Sequence, residues 1–139
     1  MIYNRPEMWI KRKVAITADN LAEYFTVTNG SYYFKGSGAV FTNTNGGVNS
    51  STASTVLTAK QDIPEITFDY SYSSEANYDK FTLKVAGTTV ENAVSGATTN
   101  KSYSGSLSKG QKIELTYAKD SSQQANSDKC TVSNIVILV

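Results

Sequence analysis

From Ile66 to Ser73 the chain alternates without a break: Ile66, Phe68, Tyr70 and Tyr72 fall on one side, Thr67, Asp69, Ser71 and Ser73 on the other. Only an extended strand, whose side chains repeat every two residues, gathers such a set onto one face. A helix would scatter these four apolar residues around its axis. The same period returns at Phe81, Leu83 and Val85, which stop at Gly87, and at Ile113, Leu115 and Tyr117, which follow the turn at Lys109-Gly110. Further short strands are expected at Tyr24–Thr28, Ser31–Lys35, Ala39–Thr42 and Ser54–Ala59, with Asn29-Gly30 joining the first two as a hairpin. The stretch Asn43–Ser51, rich in Asn and Gly, reads as a flexible connection. Cys130–Val139 closes the chain and becomes continuously apolar from Ile135, as for a strand buried on both faces.

Composition agrees with that pattern. Seventeen Ser, 16 Thr and 11 Asn in 139 residues, beside 9 Tyr, supply strand and turn formers, a mixture that points to an all-β rather than a helical chain. The expected fold is all-β, an antiparallel β-sandwich (jelly roll) of about nine or ten short strands. One helical turn is expected within residues 16–24, with Asn20 as cap and Glu23 three residues later. No repeat of solenoid or propeller period is present. The reading divides the chain into an N-terminal arm with its helical turn, residues 1–23, and a β-sandwich domain, residues 24–139.

The arm differs from the rest. Residues 1–13 hold Arg5, Lys11, Arg12 and Lys13 against Glu7, both methionines and the single Trp9, while the whole chain is only +1. A Trp beside Arg and Lys is a common interface anchor, so Arg5, Trp9, Lys11, Arg12 and Lys13 are candidate assembly residues. The alternative is an arm that packs Trp9 on its own domain. A net charge so near zero argues against a nucleic-acid partner. No apolar run reaches the roughly 20 residues that a membrane span needs. MIYNRPEMWIKRK breaks every apolar stretch, so no signal-peptide core is present and synthesis in a cytoplasm is expected. The Asn-x-Ser sequons at Asn29, Asn49 and Asn100 then read as loop chemistry.

With no histidine and one cysteine, the chain lacks His-dependent triads, His-ligated metals and internal disulfides. Cys130 reads as a small buried residue. The remaining chemistry lies in two turns, Ser74–Lys80 and Lys119–Lys129, which hold Glu75 with Asp79 and Asp120 with Asp128. If the flanking strands pair, both turns lie at one end of the sandwich. Glu75, Asp79, Asp120 and Asp128, with Asn126, are candidate calcium ligands, since calcium takes six to eight oxygens. The alternative is that these acids cap turns or pair with Lys80, Lys119 and Lys129. Two carboxylates in one turn could also serve a glycosidase, but neither a long cleft nor a raised carboxyl pKa is indicated, and no enzyme activity is expected. Sugar sites combine exposed aromatic faces with amides. Tyr32, Tyr33, Tyr78, Tyr103 and Tyr117 cannot all point inward, and Tyr78, Tyr103, Asn77 and Asn126 are the glycan-binding candidates.

These residues also carry a resemblance. Phe68, Tyr70, Ser73, Ser74, Glu75, Tyr78, Asp79 and Phe81, then Ser95-Gly96, then Tyr117, Lys119 and Asp120, and finally Asp128, Val132, Asn134, Ile135 and Val136 resemble a recurrent bacterial and phage surface module. That module is similar to lectin-like or carbohydrate-binding-like jelly-roll domains, and the resemblance covers residues 64–138. Asn134 stands where such modules commonly have an acid. The resemblance implies a surface-displayed sandwich. With the basic leader it suggests a non-enzymatic bacteriophage virion structural protein, a capsid decoration or a tail- or fibre-associated component located on the virion. Its expected partners are other virion proteins, sister subunits in a homo-oligomer, and host surface glycans. The alternative is a stand-alone carbohydrate-binding module. No cofactor is expected beyond that calcium.

Overall fold

In the computed structural model, which describes residues 11–121 and 128–139, eleven strands form two antiparallel sheets. The strands are β1 (Lys13–Ala15), β2 (Phe25–Asn29), β3 (Phe34–Ser37), β4 (Val40–Asn43), β5 (Thr52–Ala59), β6 (Ile63–Ser73), β7 (Lys80–Val85), β8 (Thr88–Val94), β9 (Lys101–Leu107), β10 (Lys112–Ala118) and β11 (Lys129–Leu138). One sheet runs β3-β4-β11-β6-β9, with β1 also paired to β11; the other runs β2-β5-β10-β7-β8. The alternating residues behave as their period demands. Ile66, Phe68 and Tyr70 are buried from one sheet, and Phe81, Leu83, Val85, Ile113, Leu115 and Tyr117 from the other. Burying each such side chain is worth about 1.5–3 kcal/mol, so this shared core holds the sheets face to face. The fold is a β-sandwich. Among the described residues no helix is long and apolar enough to cross a membrane.

Several local expectations change. Asn29-Gly30 does not close a hairpin: β2 pairs with β5 in one sheet, whereas β3 pairs with β4 in the other. The chain crosses between sheets here. Thr55 Oγ1 donates to Asn29 Oδ1 at 2.9 Å, and Gly30 N–H donates to the Ser54 carbonyl at 2.9 Å, so β5 claims the dipeptide. Two-residue hairpins lie instead at Gly38-Ala39, where Ser37 faces Val40, and at Ala86-Gly87, where both residues have positive φ (51° and 81°) and Val85 faces Thr88. That pair of left-handed residues matches the twist of the flanking strands.

β11 is not buried on both faces. It alternates, and a bulge between Ser133 and Val136, with Asn134 at φ 52°, resets the phase so that Val132 and Ile135 both face the core. The sandwich also begins before Tyr24. Lys13–Ala15 pairs with Val136–Leu138, and Ile16 is 1% exposed. The helical turn is α1 (Leu21–Tyr24), and Asn20 precedes it without a capping bond. The Asn20 side chain instead accepts from Thr17 N–H at 2.8 Å and donates to the Ala15 carbonyl at 3.0 Å.

Candidate functional site

Because β6 pairs with β11 and β7 with β10, the β6–β7 and β10–β11 connections emerge at one end of the sandwich, as the sequence implied. The β4–β5 connection joins them there. Asn43–Ser51 is not a loose stretch: Asn43, Asn45 and Ser51 are all buried. Asn45 Nδ2 donates to the Tyr117 carbonyl at 3.0 Å, and Asn43 Nδ2 donates to Asn45 Oδ1 at 2.8 Å. Asn43 Oδ1 receives Cys130 N–H at 2.7 Å, so the two amides tie the β4–β5 connection to the strands that flank the β10–β11 connection. Buried Asn side chains of this kind satisfy backbone groups that no strand reaches.

At the centre stands Lys119, whose side chain is fully buried. Its Nζ lies 3.2 Å from Asp79 Oδ2 and 2.5 Å from Asp128 Oδ2. Tyr117 O–H donates to Asp128 Oδ1 at 2.8 Å, and Gly47 N–H donates to Asp128 Oδ2 at 2.7 Å. That approach needs a bare backbone beside it: a Cβ on Gly46 would stand 3.2 Å from the Asp128 carbonyl, and Gly47 has φ 79°. Asp79 Oδ1 accepts Asp120 N–H at 3.0 Å, and Ser74 Oγ donates to the Asp79 carbonyl at 3.1 Å. Asp128 itself holds a left-handed φ of 51°, a conformation that Asp tolerates better than most residues.

Burial alone would neutralise these groups, and their partners oppose it. Burial pulls the Lys119 pKa down, yet Asp128 and Asp79 hold it above the usual lysine value. For Asp128, burial pushes upward, but bonds from Lys119, Gly47 N–H and Tyr117 keep the carboxyl below the usual range. The Tyr117 hydroxyl is pushed up by burial and by Asp128. Glu75 rises through burial and then through the charges of Asp120 and Asp79, and its Oε1 is buried without a hydrogen-bond partner among the described residues.

The four acids proposed as calcium ligands therefore do share one neighbourhood. The cation between Asp79 and Asp128, however, is the ammonium of Lys119, the pairing that the sequence offered as the alternative. Among the described residues no group of three or more acids or cysteines is arranged to hold a metal ion.

The glycan-binding candidates separate. Tyr78 is 56% exposed on the β6–β7 turn. Asn77, also exposed, precedes it with φ 71° and donates its N–H to Ser95 Oγ at 2.8 Å. Tyr103 does not join them. It sits on β9 opposite Phe68, six positions before Ser74, or ~20 Å of strand away. Phe68 also covers one of its ring faces, with centroids 5.1 Å apart and planes 25° apart. Tyr32 and Tyr33 are half-buried and Tyr117 lies in the core. Asn126 and the assembly residues Arg5 and Trp9 lie outside the described residues, while Lys11, Arg12 and Lys13 are exposed. The outer face of the β5-β10-β7 sheet carries a depression of about 240 Å³ lined by Thr82, Lys84, Glu114 and Thr116. It offers hydroxyls and a charge pair but no ring.

No protein-family model and no curated protein matches the sequence. Solved structures do resemble the fold. A segment of the secreted serine protease VesC from Vibrio cholerae superposes with a TM-score of 0.60 at 11% identity, over 88% of this chain. The chain spans 28% of the length of that protease. The CBM51 module from Clostridium perfringens GH95, solved in complex with methyl-galactose, superposes with a TM-score of 0.51 at 8% identity, over 89% of this chain and 99% of that one. These likenesses are in fold, that of a β-sandwich.

Proposed function

We propose that the chain is a non-catalytic carbohydrate-binding module whose site is the β6–β7 turn. The observation that carries this reading is Tyr78, a large aromatic ring left 56% exposed on a turn whose neighbouring residues are pinned. A sugar ring presents an apolar face to such a ring and its hydroxyls to nearby amides, and the Asn77 side chain stands beside it. Asp79, the next residue, is fixed by Lys119, Asp120 N–H and Ser74. Tyr78 is thereby presented on a rigid base, which lowers the ordering cost of binding. The fold shared with the module that holds methyl-galactose is consistent with this use.

The test is calorimetric titration with methyl-galactose and an oligosaccharide panel, on the natural chain and Tyr78→Ala. Loss of one stacked ring is expected to weaken binding about tenfold, an effect of about 1.4 kcal/mol, with an unchanged melting temperature. A chain that binds none of the panel, or a Tyr78→Ala variant that binds equally well, would count against the reading.

A second reading keeps the virion role, in which many weak sites on one particle give avidity. It draws on the exposed Lys11, Arg12 and Lys13 beside β1 and on the basic leader. Light scattering after size exclusion, on the full chain and on one lacking residues 1–10, tests it. That reading expects a defined oligomer that the truncation dissolves.

A further inference from the structure

We propose that Lys119 and Asp128 condense, within the folded chain, to an amide bond between Lys119 Nζ and Asp128 Cγ. The two side chains meet the requirements of an intramolecular condensation. Lys119 Nζ is in contact with the Asp128 carboxylate at 2.5 Å, with side-chain exposures of 0% and 4%. Held in such proximity, an amine and a carboxyl react as though at very high concentration, with effective molarities of roughly 10⁵ M and above.

Two of the groups around the pair are placed to serve the product. An amide needs one acceptor on its nitrogen side and a donor on its oxygen side. Asp79 Oδ2, 3.2 Å from Nζ, is that acceptor, and Tyr117 O–H, 2.8 Å from Asp128 Oδ1, is that donor. Asp79 keeps its own charge, answered by Asp120 N–H at 3.0 Å and by the new amide N–H. The backbone of Asp128, strained at φ 51°, aims its carboxyl at Lys119 rather than along the strand.

The step balances. The Lys119 ammonium gives one proton across its 2.5 Å contact to Asp128 Oδ2, so that a neutral amine faces a neutral carboxyl, and Nζ attacks Asp128 Cγ. Negative charge grows on Oδ1, where the Tyr117 hydroxyl holds it. Asp79 takes a second proton from the nitrogen and passes it to Oδ2, which leaves as water. Of the three ammonium protons, two depart in that water and one remains on the amide. No oxidant or cofactor takes part. Asp79 is the proton-transfer group and touches the reacting nitrogen.

Mass spectrometry of the intact, full-length chain after denaturation tests this directly. The expected mass is lower than that of the sequence by one water. Tryptic digestion is expected to give a fragment from Ile113 to Lys129 that is uncut at Lys119 and short of the same water. Full sequence mass with normal cleavage at Lys119 overturns the proposal. So does loss of water with normal cleavage at Lys119, since that is the mark of a cyclic imide at an aspartate. Lys119→Arg, which keeps a cation in place, is expected to show the full mass. Asp79→Asn is expected to slow condensation roughly a hundredfold while the circular dichroism spectrum is unchanged. A folded Asp79→Asn variant that condenses at the natural rate overturns the role given to Asp79.

Discussion

Replacing Lys119 with Met is the most severe single change that the structure identifies. Methionine fills a similar length but leaves Asp79 (0% exposed) and Asp128 (4% exposed) with neither the ammonium nor the amide formed from it between them. Removing one partner of a buried ion pair costs about 3–5 kcal/mol, because the remaining charge is stranded away from water. A domain of this size is stable by about 5–15 kcal/mol in all, so a large share of its stability is at stake. At about 3–5 °C per kcal/mol, the melting temperature should fall by about 10–20 °C. The variant's response to pH carries a definite sign. Its two uncompensated carboxylates bind protons more readily when folded than when unfolded, so the native state takes up protons and stability rises as pH falls. Calorimetry at pH 8 and pH 5 should therefore find the variant less deficient at the lower value. Restoring neutrality with Asp79→Asn and Asp128→Asn in the same chain should return most of the loss. A Lys119→Met protein that melts within a few degrees of the natural one at pH 8 would refute the reasoning, and so would a triple variant no more stable than the single one.

Two further substitutions probe the rest of the sandwich. Glu91, on β8, ties the two sheets by accepting from Tyr70 O–H at 2.5 Å and from Lys101 Nζ at 2.7 Å, and Glu91→Gln should cost about 1–2 kcal/mol in urea unfolding at pH 7. Burial pushes the Glu91 carboxyl up, but the bonds from Lys101 and Tyr70 prevail and hold it below its usual 4.5. A depressed carboxyl stabilises above its unfolded value and loses that contribution as pH falls through the folded one. The gap between natural and Glu91→Gln proteins should thus narrow below about pH 4.5, and a gap independent of pH would contradict it. Ala93 is exposed with φ 50° at an irregularity of β8, so Ala93→Gly relieves left-handed strain without losing packing. It should raise the urea midpoint by the equivalent of about 0.5–1 kcal/mol, and a lowered midpoint would contradict it.

The strands that the sequence revealed are those with one wet and one dry face. Ile66–Ser73, Phe81–Val85 and Ile113–Tyr117 could be placed because their side chains feel opposite surroundings at every step. β8 and β9 gave no comparable signal. Both are edge strands, and β9 (Lys101–Leu107) buries only Leu107 fully. Asn29-Gly30 carried a strong turn signal that was real as a change of direction and wrong as a hairpin. A dipeptide that can reverse the chain does not specify which sheet receives the next strand. Here Phe34 N–H, donating to Thr55 Oγ1 at 2.8 Å, shows that side chains of β5 guide the crossing. Asn43–Ser51 failed as a flexible stretch for a related reason. Its asparagines are polar by composition, but their partners are backbone groups of β10 and β11, seventy or more residues away.

The acidic turns illustrate the same limit at the site. Four carboxylates and nearby lysines are compatible with a bound metal, with surface pairs, or with one buried lysine among acids, and spacing along the chain does not choose among these. The choice is made by depth. Ala118 and Lys119 continue the alternation of β10, so Lys119 follows Ile113, Leu115 and Tyr117 onto the inner face. A lysine at that phase has no route to water and must find its counter-charges inside. Asp79 and Asp128, arriving from the two opposite sheets, answer it. An apolar cluster could fill the same volume at lower cost in desolvation, but it would not dictate where each connection runs. The charged centre does. It ties Asp79, and with it the end of the β6–β7 turn, while Ser74 ties the beginning through its contact with the Asp79 carbonyl. What projects from the turn is Ala76, Asn77 and Tyr78. An exposed ring on so short and so firmly held a segment keeps its direction before any ligand arrives, as recognition by a single aromatic platform requires.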